Sequence, residues 1–143
     1  ATVVYYDPHV DIAVLAVDGL AATPLLFDTS QAGLGTSAVI AGYPQDGPYT
    51  ASAVRIRGVE NARGPDIYQD RQVTRQIYAL RGDVEPGNSG GPLLDADGHV
   101  DGVVFGKAVN DDDTGYALTA AQVADAATAG ATATAAVSTQ GCD

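Results

Sequence analysis

Residues 86–92 read Pro86-Gly87-Asn88-Ser89-Gly90-Gly91-Pro92, one hydroxyl nucleophile among three glycines. Glycine allows backbone angles closed to other residues and leaves room for a second molecule beside the chain. A tight turn of this composition can aim the main-chain amides of Gly87 and Ser89 at one point. Two such donors stabilise the negative charge that builds on a carbonyl oxygen during acyl transfer, and losing one costs roughly 3–4 kcal/mol of barrier. The chemistry suggested is attack by the Ser89 hydroxyl on a carbonyl carbon. A plain Gly-rich hairpin turn is the alternative. It requires neither the serine nor both following glycines.

The run Gly87-Asn88-Ser89-Gly90-Gly91 also satisfies G-x-S-x-G, the nucleophile elbow of α/β-hydrolases. That elbow needs a helix directly after the serine, then Asp and His well downstream. Here Pro92 and a strand–hairpin–strand pattern follow, and the one later histidine is His99, on that hairpin. The context rejects the elbow. A serine also needs a base to be a strong nucleophile at neutral pH. The chain has two histidines, His9 after Asp7-Pro8 and His99 after Asp97-Gly98. Both read as surface turn residues, and neither is a base candidate.

The Gly-Asn-Ser-Gly-Gly-Pro-Leu run, with the later strand Gly102-Val103-Val104-Phe105-Gly106, resembles the trypsin/HtrA-like serine proteases. Asp7 to Leu15, Ala41-Gly42-Tyr43-Pro44, Gly64-Pro65-Asp66-Ile67-Tyr68, Asp83-Val84-Glu85-Pro86 and Thr114-Gly115-Tyr116-Ala117-Leu118-Thr119 extend the likeness over roughly residues 1–120. They narrow it to the actinobacterial, membrane-anchored, periplasmic MarP-like subgroup. The resemblance implies a double β-barrel of the chymotrypsin fold with the active site in the cleft between barrels. It implies Ser89 as nucleophile, with Gly87, Asn88 and Ser89 supplying the oxyanion hole. Asp11 is implied as the acid that orients the histidine; the plain alternative is a turn-capping carboxylate. Asp83 is a candidate for the floor of the pocket that selects the residue before the cut bond, against a solvent-exposed Asp. Val103, Val104, Phe105 and Gly106 are expected to form the wall on which a peptide lies as an added strand. The family order is His, Asp, Ser, with the His several dozen residues before Asp11, and no such residue is present. The expectation is therefore a peptidase fragment, inert or nearly so alone, whose His comes from an upstream part of the same protease. The rival expectation is a non-catalytic pseudoprotease or peptide-binding barrel.

The bulk numbers restrict partners. Against 18 acidic residues stand 7 basic ones, a net charge of -11. Nucleic-acid backbones and anionic lipid heads would repel such a chain. The expected partner is a peptide or protein, with no cofactor. Asp95, Asp97 and Asp101 faintly resemble a calcium loop, but the rest of the twelve-residue pattern is missing, so a hairpin turn and no metal are expected. Neither a transmembrane-length apolar run nor a signal segment is visible, and Ala1 opens on a strand-like run. That start suggests lost upstream sequence. Cys142 reads as a free thiol near a frayed end or as half of a disulfide to the missing part. The resemblance implies the second, since MarP-like proteins tether the C-terminal tail to the N-terminal part of the protease domain. It also implies a membrane-tethered parent facing the periplasm or cell exterior.

Short strands with turns about every ten residues must position these groups, which predicts an all-β barrel or sandwich rather than βαβ units. Strands are expected at 1–6, 10–17, 37–42, 50–59, 73–81, 92–94, 100–106 and 115–118. Residues 60–72 are polar and predict a long loop. Thr119 and Gln122 fit a capping box, with a helix over about 120–128 and a fraying tail after it. The predicted division is a remnant of a first barrel at 1–36, a second barrel with helix at 37–128, and a tail at 129–143.

Overall fold

The computed structural model describes residues 1–142. Strands β1 (Thr2–Asp7) and β2 (Ile12–Ala16) form a separate antiparallel hairpin. The second strand starts later than the apolar run predicts, because residues 8–11 are a turn. Asp7 causes it: its carboxylate accepts the His9 amide at 2.8 Å and the Val10 amide at 3.3 Å. Asp11 closes the turn by donating its N–H to the Asp7 carbonyl at 3.0 Å, with φ at 69°. Aspartate is one of the few non-glycine residues at ease in that left-handed region.

Six strands close into a barrel: β3 (Ser37–Gly42), β4 (Thr50–Pro65), β5 (Gln72–Arg81), β6 (Pro92–Leu94), β7 (Val100–Lys107) and β8 (Thr114–Thr119). Their order round the ring is β3-β4-β5-β8-β7-β6. Alternate residues point inward, as a pleated strand demands. Ile40, Val54, Ile56, Tyr78, Leu80, Leu93 and Val104 meet in the centre. Closure gives each strand of the ring a neighbour on both sides. Leu80→Ala removes a fully buried side chain from this packed centre. It is expected to destabilise the fold by about 2–5 kcal/mol, read as a lower midpoint in urea with unchanged slope.

The polar stretch 60–65 is strand rather than loop. Arg63 pairs with Thr74, Gly64 with Val73 and Pro65 with Gln72. Beyond the barrel this two-stranded ribbon satisfies its own backbone and needs no apolar face. The actual loop, 66–71, is held by the buried Asp66 carboxylate, which accepts the amides of Tyr68 at 3.1 Å and Asp70 at 3.0 Å.

Helix α1 (Ala120–Thr132) packs on β2 and β7. Thr119 caps it by accepting the Gln122 amide at 3.2 Å. The return half of the capping box is absent, because the Gln122 side-chain oxygen accepts the Gln76 amide at 2.9 Å instead. The helix outlasts the predicted end, and the following tail is strapped down rather than frayed. Val137 donates its N–H to the Val3 carbonyl at 2.9 Å, and the Tyr68 hydroxyl donates to the Thr139 carbonyl at 2.9 Å. The Tyr6 and Tyr68 hydroxyls lie 2.7 Å apart. Helix and tail thus pin the hairpin against the barrel. No helix among the described residues is long and apolar enough to cross a membrane.

Candidate active site

The Ser89 turn is built by contact with the end of β3. Gly87 has φ at 96°, and a Cβ there would overlap the Tyr43 carbonyl oxygen. A Cβ on Gly91 would overlap the carbonyl oxygen of Ala41. Glycine is therefore required at both positions by fit, and at Gly87 by backbone angle as well. Asn88 is buried, with 3% of its surface exposed. Its side-chain oxygen accepts the Glu85 amide at 2.9 Å, and its own N–H donates to the Glu85 carbonyl at 3.0 Å. The Asn88 amide is thus engaged inside the turn, which corrects the expectation that it joins the oxyanion donors. The N–H groups of Gly87 and Ser89 donate to no acceptor among the described residues. Gly90 and Gly91 lock the turn to β7: the Gly90 N–H meets the Val104 carbonyl at 2.8 Å, and the Val104 N–H meets the Gly91 carbonyl at 2.9 Å.

Ser89 is exposed where three hollows meet. The largest, about 550 Å³, lies between the β1–β2 hairpin, α1 and the barrel, and is lined by Ser89 and Asp11 together with Val14, Phe105, Val123 and Ala127. The two residues singled out from sequence thus border one cleft, Asp11 on the hairpin turn and Ser89 on the barrel turn. Capping of the hairpin turn is done by the Asp7 carboxylate, which leaves the exposed Asp11 side chain without a hydrogen-bond partner among the described residues. A second hollow, of about 230 Å³, is lined by Val84, Glu85, Pro86, Ser89, Gly106 and Lys107. A third, of about 530 Å³, brings Leu25, Tyr43, Tyr49 and Leu94 next to Ser89.

Asp83 lines none of these hollows. It is exposed, and a hydrogen bond to the neighbouring Glu85 carboxylate raises its pKa above the ordinary value. Glu85 and Lys107 line the second hollow, with Lys107 Nζ 4.0 Å from the Glu85 carboxylate and 3.6 Å from Asp112. A hydrogen bond from the Gln45 side chain at 3.0 Å, then Asp83 and Lys107, hold the Glu85 pKa below its usual value. Lys107 is the sole lysine of the chain and directly follows the predicted strand, the one sequence signal that could have marked it.

On β7, Val103 and Phe105 line the large cleft and Gly106 the small pocket, but Val104 is 1% exposed and its main chain is engaged by Gly90 and Gly91. Beyond Val103 no residue of β6 pairs with β7, so the edge at Phe105 and Gly106 is where an extended peptide could add. His9 and His99 line none of the hollows. His9 lies 3.5 Å from Asp7, and His99 3.3 Å from Asp95. Cys142 is a free, exposed thiol, and it contributes with burial and Tyr68 to a raised pKa at Tyr6.

A family model described as a trypsin-like peptidase domain matches residues 1–103. The serine protease Rv3671c (MarP) of Mycobacterium tuberculosis is 53% identical over 125 residues, 87% of this chain and 32% of that protein. A serine protease Do-like HtrA of Lactococcus lactis is 31% identical over 117 residues, 79% of this chain and 29% of its own length. The chain thus spans about a third of the length of the curated relatives it matches. Among solved structures, the active form of the Rv3671c protease superposes with a TM-score of 0.92 at 50% identity, over 96% of this chain and 61% of that one. The inactive form superposes with a TM-score of 0.81, over 89% of this chain and 65% of that one. The ring of six strands with one C-terminal helix matches the chymotrypsin-like fold of that structure.

Proposed function

Because the chain belongs to the trypsin-like peptidase family, as a serine protease domain of the Rv3671c/HtrA type, we propose that it carries the acyl-transfer half of a serine endopeptidase. The observation that carries the reading is Ser89 at the meeting point of three hollows, flanked by two unengaged amides and sharing a cleft with Asp11. The Ser89 hydroxyl attacks the carbonyl of the bond to be cut, and its proton passes to an imidazole. The carbonyl oxygen, now negative, is held by the N–H groups of Gly87 and Ser89. Asp11 orients the imidazole and stabilises its positive charge. The imidazolium then protonates the departing amine as the C–N bond breaks. Water hydrolyses the ester to release the acid and restore Ser89.

The imidazole comes from an upstream part of the same polypeptide, since neither histidine of this chain borders the cleft. Substrates are peptides or proteins laid along Phe105 and Gly106. Cys142 forms a disulfide with that upstream part; it is exposed and lies by Tyr6 of the hairpin. The parent is membrane-anchored on the outer side of the cell envelope, a reading that rests on the likeness to the MarP-like subgroup. A second reading, a pseudoprotease or peptide-binding module, is favoured by the lack of a histidine in the cleft.

An active-site-directed fluorophosphonate separates them. The longer polypeptide, with its upstream region, is expected to be labelled at Ser89, and the 143-residue chain alone is not. A complete polypeptide with a histidine in place that resists the reagent establishes the binding module instead.

A further inference from the structure

Away from the Ser89 turn, three carboxylates from two separate segments of the chain converge. Asp28, Asp95 and Asp101 each place an oxygen within 4.8 Å of the others. Asp28 lies on the segment between the hairpin and the barrel. Asp95 opens the turn between β6 and β7, and Asp101 is on β7. Phe27 forms a parallel bridge with Val100, where the Asp28 N–H donates to the Val100 carbonyl at 3.0 Å and the Val100 N–H to Leu26 at 2.8 Å.

Asp101 is the member that calls for a ligand. It is 3% exposed, and its carboxylate accepts no hydrogen bond among the described residues. A carboxylate so nearly enclosed is ordinarily paired or hydrogen-bonded; that of Asp101 meets neither kind of partner and keeps its oxygens in touch with solvent, from which an ion can reach them. Burial first, then the charges of Asp95 and Asp28, push its pKa up to about 6. His99 is the one group that offsets this charge, and it is bound to Asp95 at 3.3 Å.

The other two carboxylates are held in place from behind. One oxygen of Asp28 accepts the amide of Ser30 at 2.8 Å and its hydroxyl at 2.6 Å. One oxygen of Asp95 accepts the amides of Asp97 and His99, each at 2.8 Å. The second oxygen of Asp28 has no partner among the described residues, and that of Asp95 meets only the His99 ring. Such outer bonds fix ligands in orientation. Oxygen ligands sit 2.3–2.6 Å from calcium, so no two ligands of one ion are more than roughly 5 Å apart, a limit that the three carboxylates meet.

The geometry points to a divalent-cation site formed by Asp28, Asp95 and Asp101, taking calcium, that clamps the segment before β3 onto the β6–β7 hairpin. Hard, all-carboxylate ligands of irregular arrangement suit calcium over zinc or copper. The sequence pattern around Asp95, Asp97 and Asp101 fails as a calcium loop because the ligand that completes the set, Asp28, comes from another segment. The site is independent of the peptidase reading, and its test does not use activity.

Calorimetric titration of the chelator-treated chain with calcium chloride at neutral pH is expected to show one ion bound per chain. Saturating calcium is expected to raise the thermal midpoint by about 5–10 °C at a hundredfold excess over Kd. Asp101→Asn keeps the side-chain shape and is expected to abolish both effects, as is Asp28→Asn, which guards against a folding defect in the first variant. Asp113→Asn, on an acidic loop outside the cluster, leaves both unchanged. Absence of binding in the parent chain, or binding retained in both cluster variants, overturns the proposal. So does a chain that gains stability on acidification but not with calcium, because the cluster is then filled by a proton.

Discussion

In a polypeptide that joins this chain to the histidine-bearing upstream segment proposed above, Ser89→Ala is expected to lower kcat on a peptide substrate by about 10⁶-fold. The size follows from the chemistry. Without the hydroxyl there is no acyl-enzyme, and direct attack by water must proceed with the oxyanion donors and binding contacts alone, which leave a residual of roughly 10³–10⁴ over solution. KM is expected to move little, because the three hollows are lined mainly by other side chains and by the β7 edge. The fold should be unaffected, since Ser89 is exposed and its side chain makes no hydrogen bond among the described residues. Steady-state kinetics with a urea melt as control reads both. A loss of less than a hundredfold, with the melt unchanged, removes Ser89 from the nucleophile's role. Full loss accompanied by a large fall in stability would show the serine to be a structural part of its turn.

The Ser89 turn was legible in sequence because its signals are local. Gly87 and Gly91 are needed by backbone angle and by close approach, and those needs are written into residue type at fixed offsets. The barrel was legible for a similar reason. Val54 and Ile56 alternate with Arg55 and Arg57, and the burial alternates with them. What escaped depends on partners far along the chain. The polarity of Glu60, Asn61 and Arg63 predicts a loop, yet pairing with Ile77, Gln76 and Thr74 supplies a ladder that needs no core. The tail after Thr132 has a fraying composition, but carbonyls at Val3 and Thr139 find donors from Val137 and Tyr68. The place of Glu85 and Lys107 beside Ser89 escaped because a spacing rule fixes sequence distance, whereas the lining of a hollow depends on which way each side chain turns. Asp28 escaped for the same reason, since nothing near it in sequence marks a partner on β7. Asp11 is an intermediate case. The resemblance singled it out, while the residues around it left a turn cap as the alternative.

That possibility sets up the second large effect. In the same complete polypeptide, Asp11→Asn is expected to lower kcat by about 10⁴-fold, with KM unchanged and the thermal midpoint close to that of the parent. Asparagine is the informative substitution because Asp11 sits at φ 69°, where Asn is tolerated and alanine is strained. The carboxylate caps nothing in its own turn, a task done by Asp7, so its removal leaves the hairpin's hydrogen bonds intact. What changes is the face shown to the imidazole. A carboxylate accepts the ring N–H and balances the imidazolium formed as Ser89 attacks. An amide can meet the ring with its own N–H and favour the wrong tautomer. The defect should therefore lie in the chemical step and ease at high pH, where hydroxide competes as base. A reactive fluorophosphonate should label the variant more slowly than the parent by a comparable factor. If Asp11→Asn costs less than tenfold in kcat while Asp7→Asn unfolds the hairpin, Asp11 is a bystander on the cleft wall, and the acid must come from the same upstream segment as the base.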